Sequence, residues 1–147
     1  MIVFDTTILV HAVGADHPLR ATSRRLVAAV GEGNLAATTT VEVIQEFAHV
    51  RARRRGRSDA RRLAASYADL LTPLASPDAD DLDRGLELFA RNEHLGAFDA
   101  VITALVLRHD HLTALASADR AFAGVEGLTF IDPADKFAVD SMIGRRP

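Results

Sequence analysis

Four carboxylates in this chain stand out for where they fall. Asp5 and Asp119 each follow a short apolar run, and a hydroxyl or small residue comes next. Asp99 opens an apolar helical pattern, and Glu46 sits one turn after Glu42 on the helix that follows a second strand candidate. In a parallel sheet the carboxyl ends of the strands share one edge, so groups at those positions converge. Carboxylates crowded together repel one another unless protons or a cation neutralise them. The chain has no cysteine, so a ligand set built on these oxygens points to Mg²⁺ or Mn²⁺ rather than zinc. A carboxylate cluster holding such an ion is equipment for breaking phosphodiesters: it binds the scissile phosphate, lowers the pKa of an attacking water and neutralises the leaving oxygen. The plainer alternative for Asp5 is that it caps the next helix, its side chain accepting from a free backbone N–H.

The elements that must position these acids follow from the pattern of apolar residues. Ile2–Phe4 is a short apolar run that ends at Asp5, as a buried parallel strand would. A helix is expected over 7–13, then a break at Asp16-His17-Pro18, with Pro18 in the first turn of a helix carrying Leu26, Val27 and Val30 and closed by Gly31 and Gly33. Leu35–Thr38 is the second strand candidate. Thr38–Thr40 start a helix running to about Arg55, Gly56 breaks it, and Ser58 caps another whose buried face is Leu63, Tyr67, Leu70 and Leu71. Pro73–Ala75 suggests a brief strand. Asp78, Asp80, Asp81 and Asp83 open a helix through Leu82, Leu86 and Phe89, where acids oppose the positive end of the helix dipole; that cluster is read as structural. A buried helix from Gly96 to His109, strands at Leu112–Ala116 and Leu128–Ile131, and a tail helix capped by Asp132 complete the chain, which ends in a frayed Arg145-Arg146-Pro147. Strands alternating with helices imply a three-layer α/β architecture with a mainly parallel sheet, and a helical hairpin over 40–71 projecting from it.

Bulk properties set the frame. A chain of 147 residues, 48% hydrophobic and 25% charged, suits one domain with a real core. No apolar run is long enough to span a bilayer, and the first strand begins too early to leave room for a signal peptide; with no disulfides to form, a cytoplasmic protein is expected. Net charge is −3, but seven arginines lie between Arg51 and Arg62. Arg51, Arg53, Arg54, Arg55 and Arg57, with Arg61 and Arg62, are candidate phosphate contacts, the alternatives being a solvated helix end or contact with an acidic partner. Few aromatic residues accompany the run, so base stacking there is not indicated. The histidines are scattered, and His109-Asp110-His111 reads as a structural helix end.

Four local patterns together resemble a known family. Ile2-Val3-Phe4-Asp5-Thr6-Thr7, Val43-Ile44-Gln45-Glu46-Phe47, Gly96-Ala97-Phe98-Asp99-Ala100 and Ala116-Ser117-Ala118-Asp119-Arg120 follow the order and spacing of PIN-domain ribonucleases, specifically VapC-type toxins of bacterial toxin–antitoxin pairs. The resemblance covers nearly all of the chain, 1–147, as a single PIN domain. It implies a Mg²⁺-dependent endoribonuclease whose acidic pocket is Asp5, Glu46, Asp99 and Asp119, with Thr6 and Ser117 as hydroxyl neighbours. Asp5 and Asp99 would anchor one ion, Asp119 and Glu46 contributing directly or through water. Ser117 stands where threonine is commoner. Glu42, on the same helix face as Glu46, is a supporting or substitute ligand. The implied partners are RNA, a VapB-type antitoxin whose tail covers the pocket, and a second copy of the chain; exposed apolar positions on the early helices and the hairpin would suit those contacts. Two other readings stay open: a haloacid-dehalogenase-like phosphatase with Asp5 as nucleophile, against which Thr7 stands where a second Asp is wanted, and a non-catalytic RNA-binding module.

Overall fold

A computed structural model describes residues 1–144; the expectation for Arg145, Arg146 and Pro147 lies outside the described residues. Its centre is a four-stranded parallel sheet, order β2-β1-β3-β4, formed by β1 (Ile2–Phe4), β2 (Ala37–Thr38), β3 (Ala114–Ala116) and β4 (Phe130–Ile131). Ile2 pairs with Ala37 on one side and Ala114 on the other, and Leu115 pairs with Phe130. Every residue of β1 and β3 is buried, as expected of strands covered on both faces. The strands are shorter than their apolar runs: Leu35, Leu112 and Leu128 fill core or loop space ahead of the first ladder pairs. The strand expected at Pro73–Ala75 reduces to a single parallel bridge between Thr40 and Ala75.

Around the sheet lie α1 (Thr6–Val13), α2 (Arg20–Gly31), α3 (Val41–Arg55), α4 (Arg57–Leu70), α5 (Ala79–Arg91), α6 (Ala97–Arg108) and α7 (Lys136–Ile143). This is the three-layer α/β/α architecture the alternation implies. Pro18 lies in the turn before α2, whose first residue is Arg20. The α3–α4 hairpin turns at Gly56, whose φ of +86° is a left-handed conformation that favours glycine. Gly56 itself occupies the N-cap of α4, so Ser58 does not. The hairpin is anchored by Phe47, whose ring meets Tyr67 edge-on at 5.0 Å, and the Tyr67 hydroxyl donates to the Leu9 carbonyl of α1 at 3.3 Å. Arg51 also turns inward: it donates to Asp59 at 2.5 Å and to the Val13 carbonyl at 3.1 Å.

Helices α5 and α6 pack as a pair. Gly85 makes this possible, since a Cβ there would stand 2.8 Å from Val101. The tail helix α7 is capped by Asp135, which accepts from Ala138 N at 3.0 Å; Asp132 instead accepts from Ala134 N within the preceding turn. The large exposed apolar side chains are Val41, Leu82, Leu86, Phe89, Phe98 and Phe137. The exposed apolar surface thus lies on α5, the start of α6, the first residue of α3 and α7. The sequence suggested the early helices and the hairpin: none of these residues is on α1 or α2, and Val41 is the one on the hairpin. Among the described residues no helix is long and apolar enough to cross a membrane.

Candidate active site

The topology explains how remote acids meet. Asp5 and Asp119 lie just past β1 and β3, at the carboxyl edge of the sheet. Helix α3 follows β2 and therefore starts at that edge, bringing Glu46. Helix α6 leads into β3 and so begins at the same edge, bringing Asp99. A cleft of about 380 Å³ there is lined by all four, together with Thr6, Thr7, Val10, His11, Val50 and Arg54.

Hydroxyl groups hold three of these carboxylates or their backbone in place. Asp5 is buried, and its Oδ2 accepts from Ser117 Oγ at 2.7 Å, Thr7 Oγ1 at 2.8 Å and Thr7 N at 3.3 Å. Asp5 thus both caps α1 and faces the cleft, so the two readings of this residue are not exclusive. Thr6 Oγ1 donates to Glu46 Oε2 at 2.5 Å, tying α1 to α3. Ser117 Oγ also accepts from Asp119 N at 2.9 Å, and Asp119 Oδ1 accepts from Ala121 N. Each of the three carboxylates spends one oxygen on these bonds, and the other oxygen has no hydrogen-bond partner among the described residues. Thr7 is the residue the sequence reading missed as a positioning group. Besides Asp5 it contacts Ser117 Oγ at 3.2 Å and accepts from Ala118 N at 2.8 Å, joining β1 to the β3 exit. The available signal was its place two residues after a strand-end Asp, where a hydroxyl reaches back to the cap.

Asp99 carries the electrostatic cost of the arrangement. Its carboxyl is pushed up to about 6, first by burial, then by the charges of Asp5, Asp119 and Glu46, with a backbone hydrogen bond from Gly96 opposing. A group whose anion is disfavoured by three neighbouring anions is one that a cation would relieve. The donor set is hard oxygen throughout, which fits a Mg²⁺-like ion.

Glu42 does not share this cleft. It is exposed in the first turn of α3 and lines a separate, mostly apolar groove of about 400 Å³ with Leu82, Phe98 and Val101. Of the arginine run, Arg54 reaches the acidic cleft; Arg53, Arg55 and Arg57 are exposed around the hairpin turn. Arg51 and Arg62 both bind Asp59, which takes Arg51 out of the candidate phosphate-binding set and commits Arg62 to an exposed ion pair. Asp78, Asp81 and His109 also present ligand atoms within 4.8 Å of one another, but Arg108 already bonds both aspartates.

Residues 2–128 match the PIN domain family. Ribonuclease VapC7 of Mycobacterium tuberculosis is 48% identical over 147 residues, covering 99% of this chain and 100% of that protein. Ribonuclease VapC13 of the same organism is 30% identical over 131 residues, covering 87% of this chain and 97% of that one. Among solved structures, VapC20 of M. tuberculosis, described as a toxin cleaving the sarcin–ricin loop, superposes with a TM-score of 0.67 at 22% identity, covering 84% of this chain and 95% of that one; that likeness is one of fold. The chain belongs to the PIN-domain family. Its full-length likeness to VapC7 makes it, within that family, a VapC-type endoribonuclease. The phosphatase reading of Asp5 falls with that assignment.

Proposed function

We propose that Asp5, Glu46, Asp99 and Asp119 hold a divalent cation, Mg²⁺ or Mn²⁺, for hydrolysis of RNA phosphodiester bonds. Four acids lining one cleft, with Asp99 destabilised as an anion by the other three, is the observation that carries the reading. Bound there, the cation supplies charge neutralisation at the phosphate and acidifies an attacking water. The chain's own residues do the rest. Ser117 and Thr7 fix Asp5 by bonding one oxygen, Thr6 fixes Glu46, and the backbone of the β3 exit fixes Asp119. Asp99, whose anion burial and the other three acids disfavour, is the group that positive charge in the cleft would relieve most. Purified protein should cleave RNA only with divalent cation present, and Asp5→Asn or Asp99→Asn should abolish cleavage while circular dichroism stays unchanged. Cleavage surviving in either folded variant refutes the assignment.

The same reading makes the chain a single PIN domain over 1–147, the cytoplasmic toxin of a pair, with a VapB-type antitoxin covering the cleft. We assign self-association to the exposed apolar side chains of Leu82, Leu86 and Phe89 on α5 and Phe98 at the start of α6, Leu82 and Phe98 lining one groove, since exposed apolar surface marks interfaces. Leu86→Glu should shift sedimentation toward monomer; an unchanged profile would move the contact elsewhere.

A further inference from the structure

The carboxylates leave two features of their own cleft without a role. His11 lies in the cleft wall on α1, one turn beyond Thr7, and its ring stacks on that of His17, with centroids 4.2 Å apart and planes at 19°. His17 is exposed in the loop between α1 and α2. Its Nδ1 accepts from Leu19 N at 3.2 Å, which fixes the ring's orientation. The two imidazoles form an aromatic ledge running from the acid cleft to solvent. Arg54 lines the same cleft from α3 two turns beyond Glu46, is exposed, and has no carboxylate partner among the described residues.

The ledge and the cation answer a problem the acids create. Four carboxylates repel an RNA strand, so something beside them must hold it. Among the residues lining the cleft Arg54 is the one guanidinium, and it offers a bidentate site for phosphate. His11 does not add a second positive charge near pH 7, because burial, His17 and Arg54 all lower its pKa from 6.5. A neutral, flat ring beside a phosphate-binding arginine suits a nucleobase, whose face every RNA sequence presents when unpaired.

We propose that the stacked His11–His17 pair and Arg54 form a nucleotide-positioning subsite, in which an unpaired base next to the scissile phosphate stacks on the imidazole ledge and Arg54 binds a neighbouring phosphate. The proposal rests on the ribonuclease reading above. It assigns these residues to holding RNA, with bond breaking left to the acids.

The test uses the full chain, Mg²⁺ and a labelled single-stranded RNA oligonucleotide of mixed sequence. His11→Ala should raise KM by about 5- to 150-fold, the range of one lost base stack, with the loss in KM rather than kcat. His11→Phe, which keeps a ring face and removes both nitrogens, should restore most of it. Arg54→Gln should raise KM and reduce the salt slope of binding by about one. Walking an abasic nucleotide along the oligonucleotide should find one position where the abasic penalty and the His11→Ala penalty do not add. Additivity at every position, unchanged KM in His11→Ala, or failure of phenylalanine to rescue would each overturn the subsite. Asp99→Asn separates the two readings: retained cleavage in that variant sinks the ribonuclease site, whereas loss of cleavage there with normal KM in His11→Ala sinks only the subsite. RNA affinity measured on the Asp99→Asn background reads the ledge without turnover.

Discussion

Acids cluster at two places in this protein, and the two clusters are partnered in opposite ways. At the start of α5, Asp78 and Asp81 form a reciprocal cap: Asp81 N donates to Asp78 at 2.8 Å and Asp78 N donates to Asp81 at 3.0 Å. Arg108, at the end of α6, bonds Asp78, Asp80 and Asp81, and His109 Nε2 lies 3.1 Å from the second oxygen of Asp81. Asp81 is completely buried, yet it is paired through both oxygens. In the cleft at the sheet edge, Asp5, Glu46 and Asp119 accept from neutral hydroxyls and amides, and no arginine pairs with them among the described residues. Position at a helix start therefore does not mark a site. What separates the groups is where the compensating charge comes from: inside the chain for one and, as we propose, outside it for the other.

The contrast is broken most sharply by neutralising one acid in each group. Asp5→Asn or Asp99→Asn should cut RNA cleavage by at least about 10²- to 10³-fold, the scale of losing one preorganised electrostatic group, without loss of folded signal. Asp81→Asn should do the reverse. It leaves buried donors partly unpaired and should cost about 3–5 kcal/mol of stability in denaturant unfolding, while kcat of the folded fraction holds. If Asp81→Asn instead removed divalent-ion dependence, the α5 cluster would be a cation site and the comparison would invert.

Stability measured against pH sharpens the same point. Asp99 holds its proton up to about 6 in the folded chain, against an ordinary value of 3.8. Between those values the folded chain binds more protons than the unfolded one, so stability falls as pH rises through the window. After discounting for solvent screening this amounts to about 1–2 kcal/mol. Asp99→Asn should therefore be more stable than the parent chain near pH 7 and should lack this slope. Millimolar Mg²⁺ or Mn²⁺ should stabilise the parent chain by mass action and leave the melting temperature of Asp99→Asn nearly unmoved. An equal response from both would place the cation elsewhere.

What was legible in the sequence shares one property: it is local. The strand ends at Asp5 and Asp119, the Thr40 cap and the break at Gly56 are each set by a few neighbouring residues, and the parallel order then brings the four acids to one edge. What was not legible depends on partners far along the chain. The salt bridge of Arg108 to Asp81 spans 27 positions, and no pattern within α5 announces it. Helix α5 also presents two stripes. Leu82, Leu86 and Phe89 have the spacing of a face that helices bury, yet the face turned to the core is Asp81, Gly85 and Leu88. A paired acid and a missing side chain let α6 approach more closely than leucines would permit. The hydroxyl bridge from Thr7 to Ser117, 110 positions apart, was hidden for the same reason as the salt bridge.

The smallest expected effect tests the finest distinction. Glu42 and Glu46 are four residues apart, and helical periodicity alone puts them on one face. Because Thr40 caps α3, Glu42 falls in the first turn, exposed beside the apolar groove, while Glu46 lies a turn further along, bonded to Thr6 and in the acidic cleft. Glu42 therefore interacts chiefly with the helix dipole, worth about 0.3–1 kcal/mol. Glu42→Gln should cost no more stability than that and should change cleavage by less than about twofold, as a surface substitution does. Glu46→Gln should lose about tenfold or more in kcat at fixed Mg²⁺, since the lost charge belongs to the cluster that raises Asp99. Equal losses in the two variants would mean that the cation reaches past the cleft to the start of α3, and that the four-residue spacing, more than the register set by Thr40, decides which glutamate binds it.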